Sequence, residues 1–72
     1  MTIDGSLSIR VNGQHRRVSG EISIVDLLNE LGFDPGRVAV EHNLKVVPRS
    51  LLGKVCVKDG DDFEIVRIVG GG

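Results

Sequence analysis

Apolar and polar residues alternate near the start of the chain. Leu7, Ile9 and Val11 are interleaved with Ser6, Ser8 and Arg10, and this period of two predicts a half-buried strand. Asn12-Gly13 follows and predicts a type I′ hairpin turn, in which both central residues need positive φ. The return strand, His15 to Val18, is short and polar, and Arg16 and Arg17 suit a sheet edge. The period then lengthens. Ile24, Leu27, Leu28 and Leu31 fall at i, i+3, i+4 and i+7, which predicts one helix with a single apolar stripe. Ser23 is placed to cap it and Asp26 to complete a capping box. Gly32 suits the left-handed position after the last turn, and Asp34-Pro35-Gly36 prevents continuation.

The second half reads as strands. Val38-Ala39-Val40 predicts a buried strand, with a second hairpin turning near Asn43 into Lys45-Val46-Val47. Pro48 ends that strand because it cannot donate to a ladder. Arg49 to Gly53 reads as a loop, Val55-Cys56-Val57 as a short extended piece, and Lys58-Asp59-Gly60-Asp61 as a tight turn. The last strand is expected from about Phe63 to Val69. The order of elements predicts an α+β fold, a mixed sheet of about four to five strands packed on one main helix. The last strand is apolar on both parities, Phe63, Ile65 and Val69 on one and Val66 and Ile68 on the other. One helix covers one sheet face, so the other face is expected to dock a partner protein. Phe63, Ile65, Val66 and Ile68 are the candidate docking residues.

Composition narrows the function classes. The chain has 72 residues, expected as one domain over 1–72 with a loose lead-in at 1–6 and a flexible functional tail at 70–72. A chain of this size buries only about 60–65% of its unfolded surface, which leaves little room for a deep catalytic pocket. The net charge is -1, which gives no electrostatic footprint for nucleic acid or an anionic membrane. No apolar run reaches the ~20 residues that span a bilayer, and residues 1–6 lack the features of a secretory leader. One cysteine, Cys56, is present, so no internal disulfide forms and a cytoplasmic setting is expected. Cys56 between two valines is expected to be a buried, inert thiol. His15 and His42 have no partner at metal-ligand spacing, and no metal site is expected. Asp59, Asp61, Asp62 and Glu64 are assigned to turn chemistry and solvation.

The remaining signal is Gly70-Gly71-Gly72, directly after Ile68-Val69. Glycine packs nothing and loses the most freedom on ordering, so three together add no stability. They make a thin thread with no Cβ to obstruct a narrow channel. The carboxylate of Gly72 is therefore the candidate working group, with Gly70 and Gly71 giving it access.

A β-grasp layout, Pro48-Arg49-Ser50 after Val46-Val47, the Asp59-Gly60-Asp61 turn and the ending Ile65-Val66-Arg67-Ile68-Val69-Gly70-Gly71-Gly72 together resemble the ThiS family of bacterial sulfur carriers of thiamine biosynthesis, over about residues 7 to 72. The resemblance implies a ubiquitin-like β-grasp. It also implies a carrier rather than an enzyme, whose Gly72 carboxylate is adenylated and converted to a thiocarboxylate that donates sulfur to thiazole synthase. The implied partners are a ThiF-type adenylating enzyme, a ThiG-type thiazole synthase and a cysteine desulfurase or other sulfur donor. ATP and Mg²⁺ would be used by the activating enzyme, since this chain has no phosphate-binding loop of the Gly-x-x-x-x-Gly-Lys-[Ser/Thr] kind. The chain departs from the family pattern at Asn43-Leu44, where many members have Asn-Gly. Other readings remain open on the sequence: a MoaD-like small subunit of molybdopterin synthase, another sulfur carrier, a ubiquitin-like protein modifier, or an interaction module with an idle tail.

Overall fold

The computed structural model describes residues 6–68. The alternating segment is strand β1, Ser6–Val11, and the return strand is β2, Gln14–Ser19. Asn12 and Gly13 join them with φ of 52° and 83°, the two positive values a type I′ turn requires. Residue 6, expected in the lead-in, already pairs in β1 opposite Ser19.

Helix α1 spans Ile24–Glu30. Ser23 Oγ accepts from Asp26 N, and Asp26 Oδ2 accepts in return from Ser23 N, both at 3.1 Å. The next two N–H groups of the first turn find acceptors in the loop that follows β4: Ile24 N donates to Val55 O and Val25 N to Leu52 O. At the far end Gly32 has φ 84°. Gly32 N donates to Asn29 O and Phe33 N to Leu28 O, the paired bonds of a Schellman ending. A helix of seven residues is not stable alone. It is held by burial of Ile24, Leu27 and Leu28, which have no exposed surface.

A 3₁₀ turn at Pro35–Arg37 leads into β3, Val38–His42, and a short β4, Lys45–Val46. A second 3₁₀ turn follows at Arg49–Leu51, and β5 is Asp62–Arg67. The sheet has the order β2-β1-β5-β3-β4. β1 and β5 run parallel in the middle and the other neighbours are antiparallel. β2, carrying Arg16 and Arg17, is an edge strand as expected. The extended piece expected at 55–57 is a single bridge between Cys56 and Ser23 rather than a strand.

The core lies between α1 and one sheet face: Ile9 and Val11 of β1, Val18 of β2, Val38 and Val40 of β3, Phe63 and Ile65 of β5, and Leu52 and Val57 from the loops. Period-two alternation puts residues 63 and 65 on the helix side and 64 and 66 on the other.

Candidate functional site

The site is built on β5, which leads toward the glycines. On one side β5 pairs with β3, from His42 opposite Phe63 to Val38 opposite Arg67. On the other it pairs with β1 at Arg10–Asp62 and Val11–Phe63. Where β1 ends, the side chain of Asn12 takes over. Asn12 Oδ1 accepts from Ile65 N at 2.7 Å and Nδ2 donates to Ile65 O at 3.2 Å, a side-chain imitation of a strand partner. Just past the strand, and last among the described residues, Ile68 N donates to Arg37 O at 2.9 Å. Gly70, Gly71 and Gly72, the sequence candidates for the reacting end and its access, lie outside the described residues. Ile68 is the last of the described residues and is termed the tail root.

The candidate docking residues divide. Phe63 has no exposed surface and Ile65 is 5% exposed, so both belong to the core and the expectation that they dock a partner is corrected. The cause is strand parity, which sends both under α1. Val66 and Ile68 are 58% and 50% exposed and lie on the uncovered face. The register surrounds them with further apolar surface. Ala39 is opposite Val66, and Val46 is opposite Glu41 in the next strand and 72% exposed. A groove of about 280 Å³ runs beside the tail root, lined by Ala39, Val46, Val47, Pro48, Arg49 and Ile68 among others. Val46 was read only as a strand residue. The signal that could have found it is its parity in the second hairpin, which places it with Glu41 rather than with the core.

The same face changes character away from the tail root. Glu41 and Glu64 stand directly opposite each other, and Asp62 is beside Arg10. Arg67 turns instead to the helix side, its guanidinium 5.4 Å from the Phe33 ring centroid, an attractive cation–π geometry. Beside it Arg37 pairs with Asp34 across an exposed 3.5 Å contact.

At the opposite end of β5, Asp61 is a buried acidic node. Its Oδ2 accepts from Lys58 N at 2.8 Å and lies 2.8 Å from His42 Nε2, and its Oδ1 accepts from Asn43 Nδ2 at 3.2 Å. Burial pushes its pKa up, but the bonds from Lys58, His42 and Asn43 together outweigh burial and hold it below the ordinary carboxylate value. The His42 ring stacks on Phe63, with centroids 4.9 Å apart. The expected turn chemistry holds for Asp61 but the expected solvation does not, since it is buried and bonded to Lys58, His42 and Asn43. Asn43 also ties the second hairpin to β5, its Oδ1 accepting from Asp62 N. Cys56 is exposed, not buried as expected, because Val57 takes the inward position. Among the described residues no group of three or more His, Cys, Asp or Glu side chains is placed to hold a metal, and no helix is long and apolar enough to cross a membrane.

A mixed five-stranded sheet with one helix across it and the last strand in its centre defines a ubiquitin-like β-grasp domain. The sequence model of the ThiS family matches residues 9–72, and the chain belongs to that family. The crystal structure of a thiamine biosynthesis protein (ThiS) from Geobacter metallireducens superposes with a TM-score of 0.79 at 32% identity, covering 92% of this chain and 100% of that one. The HVO 2177 protein of Haloferax volcanii shares the fold, with a TM-score of 0.73 at 22% identity, covering 100% of this chain and 92% of that one. A thiazole synthase of Paramagnetospirillum magneticum is 46% identical over 66 residues, which are 92% of this chain and 20% of that protein. This chain thus spans a fifth of that synthase. The ycf40 protein of Porphyra purpurea is 39% identical over 70 residues, 97% of this chain and 99% of that protein.

Proposed function

We propose that this protein is a sulfur carrier for assembly of the thiazole of thiamine, working through the carboxylate of Gly72. The observation that carries the reading is the family match, which runs through the three glycines to residue 72. The structure supports it by tying β5 as far as Ile68 on the β3 side and as far as Ile65, through Asn12, on the β1 side. Residues 69–72 extend at most about 14 Å beyond that point, enough to reach into a partner's active site while the domain stays outside.

A carboxylate is a poor electrophile. An adenylating enzyme of the ThiF type transfers AMP from ATP to Gly72 and releases pyrophosphate. Hydrosulfide, or its equivalent from a sulfur donor, then attacks the acyl carbon. The acyl–oxygen bond to AMP breaks, and one oxygen of the original carboxylate is replaced by sulfur. The resulting thiocarboxylate is the nucleophile handed to a thiazole synthase. The carrier itself supplies its tail and a docking surface, formed by Val66, Ile68, Ala39 and Val46 on the sheet face that α1 leaves open. The relatives favour a synthase as partner: in the Paramagnetospirillum protein a segment similar to this chain is part of the synthase polypeptide.

Intact mass spectrometry tests the reading. The full chain is incubated with ATP, Mg²⁺, an active adenylating enzyme and a sulfide source. A mass gain equal to exchange of one oxygen for sulfur, mapped to Gly72, is expected. An unchanged mass, with the same enzyme active on a known carrier, overturns the reading.

A further inference from the structure

The second hairpin breaks its own turn rule. Asn43 and Leu44 have φ of 51° and 71°, so this is a turn with two left-handed central residues, the geometry that Asn12-Gly13 fills with a glycine. Leucine has a Cβ that crowds the following carbonyl in this region, and glycine does not. The bonds of Asn43 to Asp61 and Asp62 hold the turn, but packing of the leucine itself does not offset its strain, since Leu44 is 86% exposed, the most exposed large apolar side chain of the described residues. A single exposed leucine is ordinary. An exposed leucine held in a backbone conformation that disfavours it is not, because neither packing nor local geometry selects it.

Its position supplies the use. Leu44 lies two residues from Val46, at the end of the strand pair that carries the open apolar face. β3 runs antiparallel to β5, so this hairpin tip stands at the opposite end of the sheet from the tail root at Ile68. A partner that receives the tail meets Ile68, Val66 and Val46 first and reaches Leu44 last. We propose that Leu44 is the distal anchor of the docking surface, entering an apolar recess on a thiazole synthase. This rests on the reading above that a thiazole synthase is the partner. Contacts at both ends of the sheet fix the orientation of the domain and so the direction in which the tail is presented.

Leu44→Gly separates the anchor from the fold. It restores Asn-Gly at the turn and removes almost no buried surface. Binding of the wild-type chain, Leu44→Gly and Val66→Lys to the thiazole synthase of the same genome is measured by titration calorimetry, with thermal unfolding of each chain. For Leu44→Gly the midpoint of unfolding holds or rises, by up to about 5 °C, while Kd weakens tenfold to a hundredfold, the range for loss of a buried leucine. Equal Kd for Leu44→Gly and wild type, with Val66→Lys weakened, overturns the anchor and leaves the carrier reading intact. A lower unfolding midpoint for Leu44→Gly overturns it as well, because the leucine would then be structural. No binding by the wild-type chain removes both the partner and the anchor. A wild-type dimer that Leu44→Gly dissolves reassigns the residue to self-association and overturns the proposal.

Discussion

Replacing Asn12 by glycine tests whether that residue serves its turn or the central strand. As a turn residue alone, Asn12 with φ 52° would accept glycine at no loss, since glycine takes the left-handed region freely. The structure predicts a clear loss instead. Asn12→Gly removes the acceptor of Ile65 N and the donor to Ile65 O, and Ile65 is a core residue, 5% exposed. A buried donor left without a partner costs about 1–3 kcal/mol. The 2.7 Å bond to Ile65 N is the stronger of the two, so we expect a net loss of about 2 kcal/mol, after a conformational change at the turn that cancels to within about 0.5 kcal/mol. Domains of this length have total stabilities of about 4–11 kcal/mol, so the fraction lost is large.

The assay is paired thermal and urea unfolding, with amide exchange at Ile65. The expected fall in the unfolding midpoint is about 8–16 °C, and protection of the Ile65 amide drops about thirtyfold. Asn12→Ala adds the strain of a Cβ at positive φ without either bond, so it should fall further than Asn12→Gly. The difference between the two variants reports the turn, and the loss common to both reports the strand. A midpoint for Asn12→Gly equal to or above wild type would refute the reasoning and reduce Asn12 to a turn residue.

Three other outcomes are expected. Val66→Lys should weaken binding to the adenylating enzyme and to thiazole synthase at least tenfold while costing under about 1 kcal/mol of stability, because the side chain is already more than half exposed; calorimetry beside urea unfolding checks both, and unfolding of this variant would show that Val66 is structural. On the proposed function, in which the Gly72 end enters a narrow channel of the activating enzyme, Gly72→Ala should lower thiocarboxylate yield in the mass assay severalfold or more with no change in unfolding midpoint; wild-type yield would contradict this. Asp61 is held below its ordinary pKa in the fold, so its contribution is present above about pH 3.9 and is lost as pH falls through the lower folded value. Asp61→Asn should therefore be less stable than wild type at pH 7, by roughly 1–2 kcal/mol, and should lose less stability on acidification; parallel acid limbs for the two proteins would count against the node.

Most of the architecture was legible because local chemistry and tertiary packing agree. Asn12-Gly13 forms a turn, Ser23 and Asp26 form a reciprocal cap, Gly32 ends the helix, and the 24, 27, 28 stripe is buried. The misreadings share one cause, which is that apolar character does not say which way a strand faces. Phe63, Ile65, Val66 and Ile68 are all apolar, and only the register with β3 and the position of α1 assigns the first two to the core. Cys56 was misplaced for the same reason. The bonds of Asn12 to Ile65 were out of reach because the partners are 53 positions apart in sequence. Turn propensity alone accounted for the residue and left nothing to prompt a second role.

The two hairpins carry opposite substitutions into the same backbone geometry, and the contrast separates stability from recognition. In the first, Asn12-Gly13 obeys the turn rule, and its asparagine is also recruited to hold β5. In the second, the Asn43 side chain accepts from Asp62 N and donates to the Asp61 carboxylate, so the two asparagines bond β5 from its two sides. They differ in the next residue, where glycine minimises strain and leucine does not. β5 is thus held by Asn43 at its first residue and by Asn12 at Ile65, and the two turns differ in glycine against one exposed leucine. Glycine at 44 would have left this hairpin a pure stability device like the first. Leucine there keeps the strain, and the proposed contact with a partner gives it a use, with the open face from Val46 to Ile68 setting the direction of that contact.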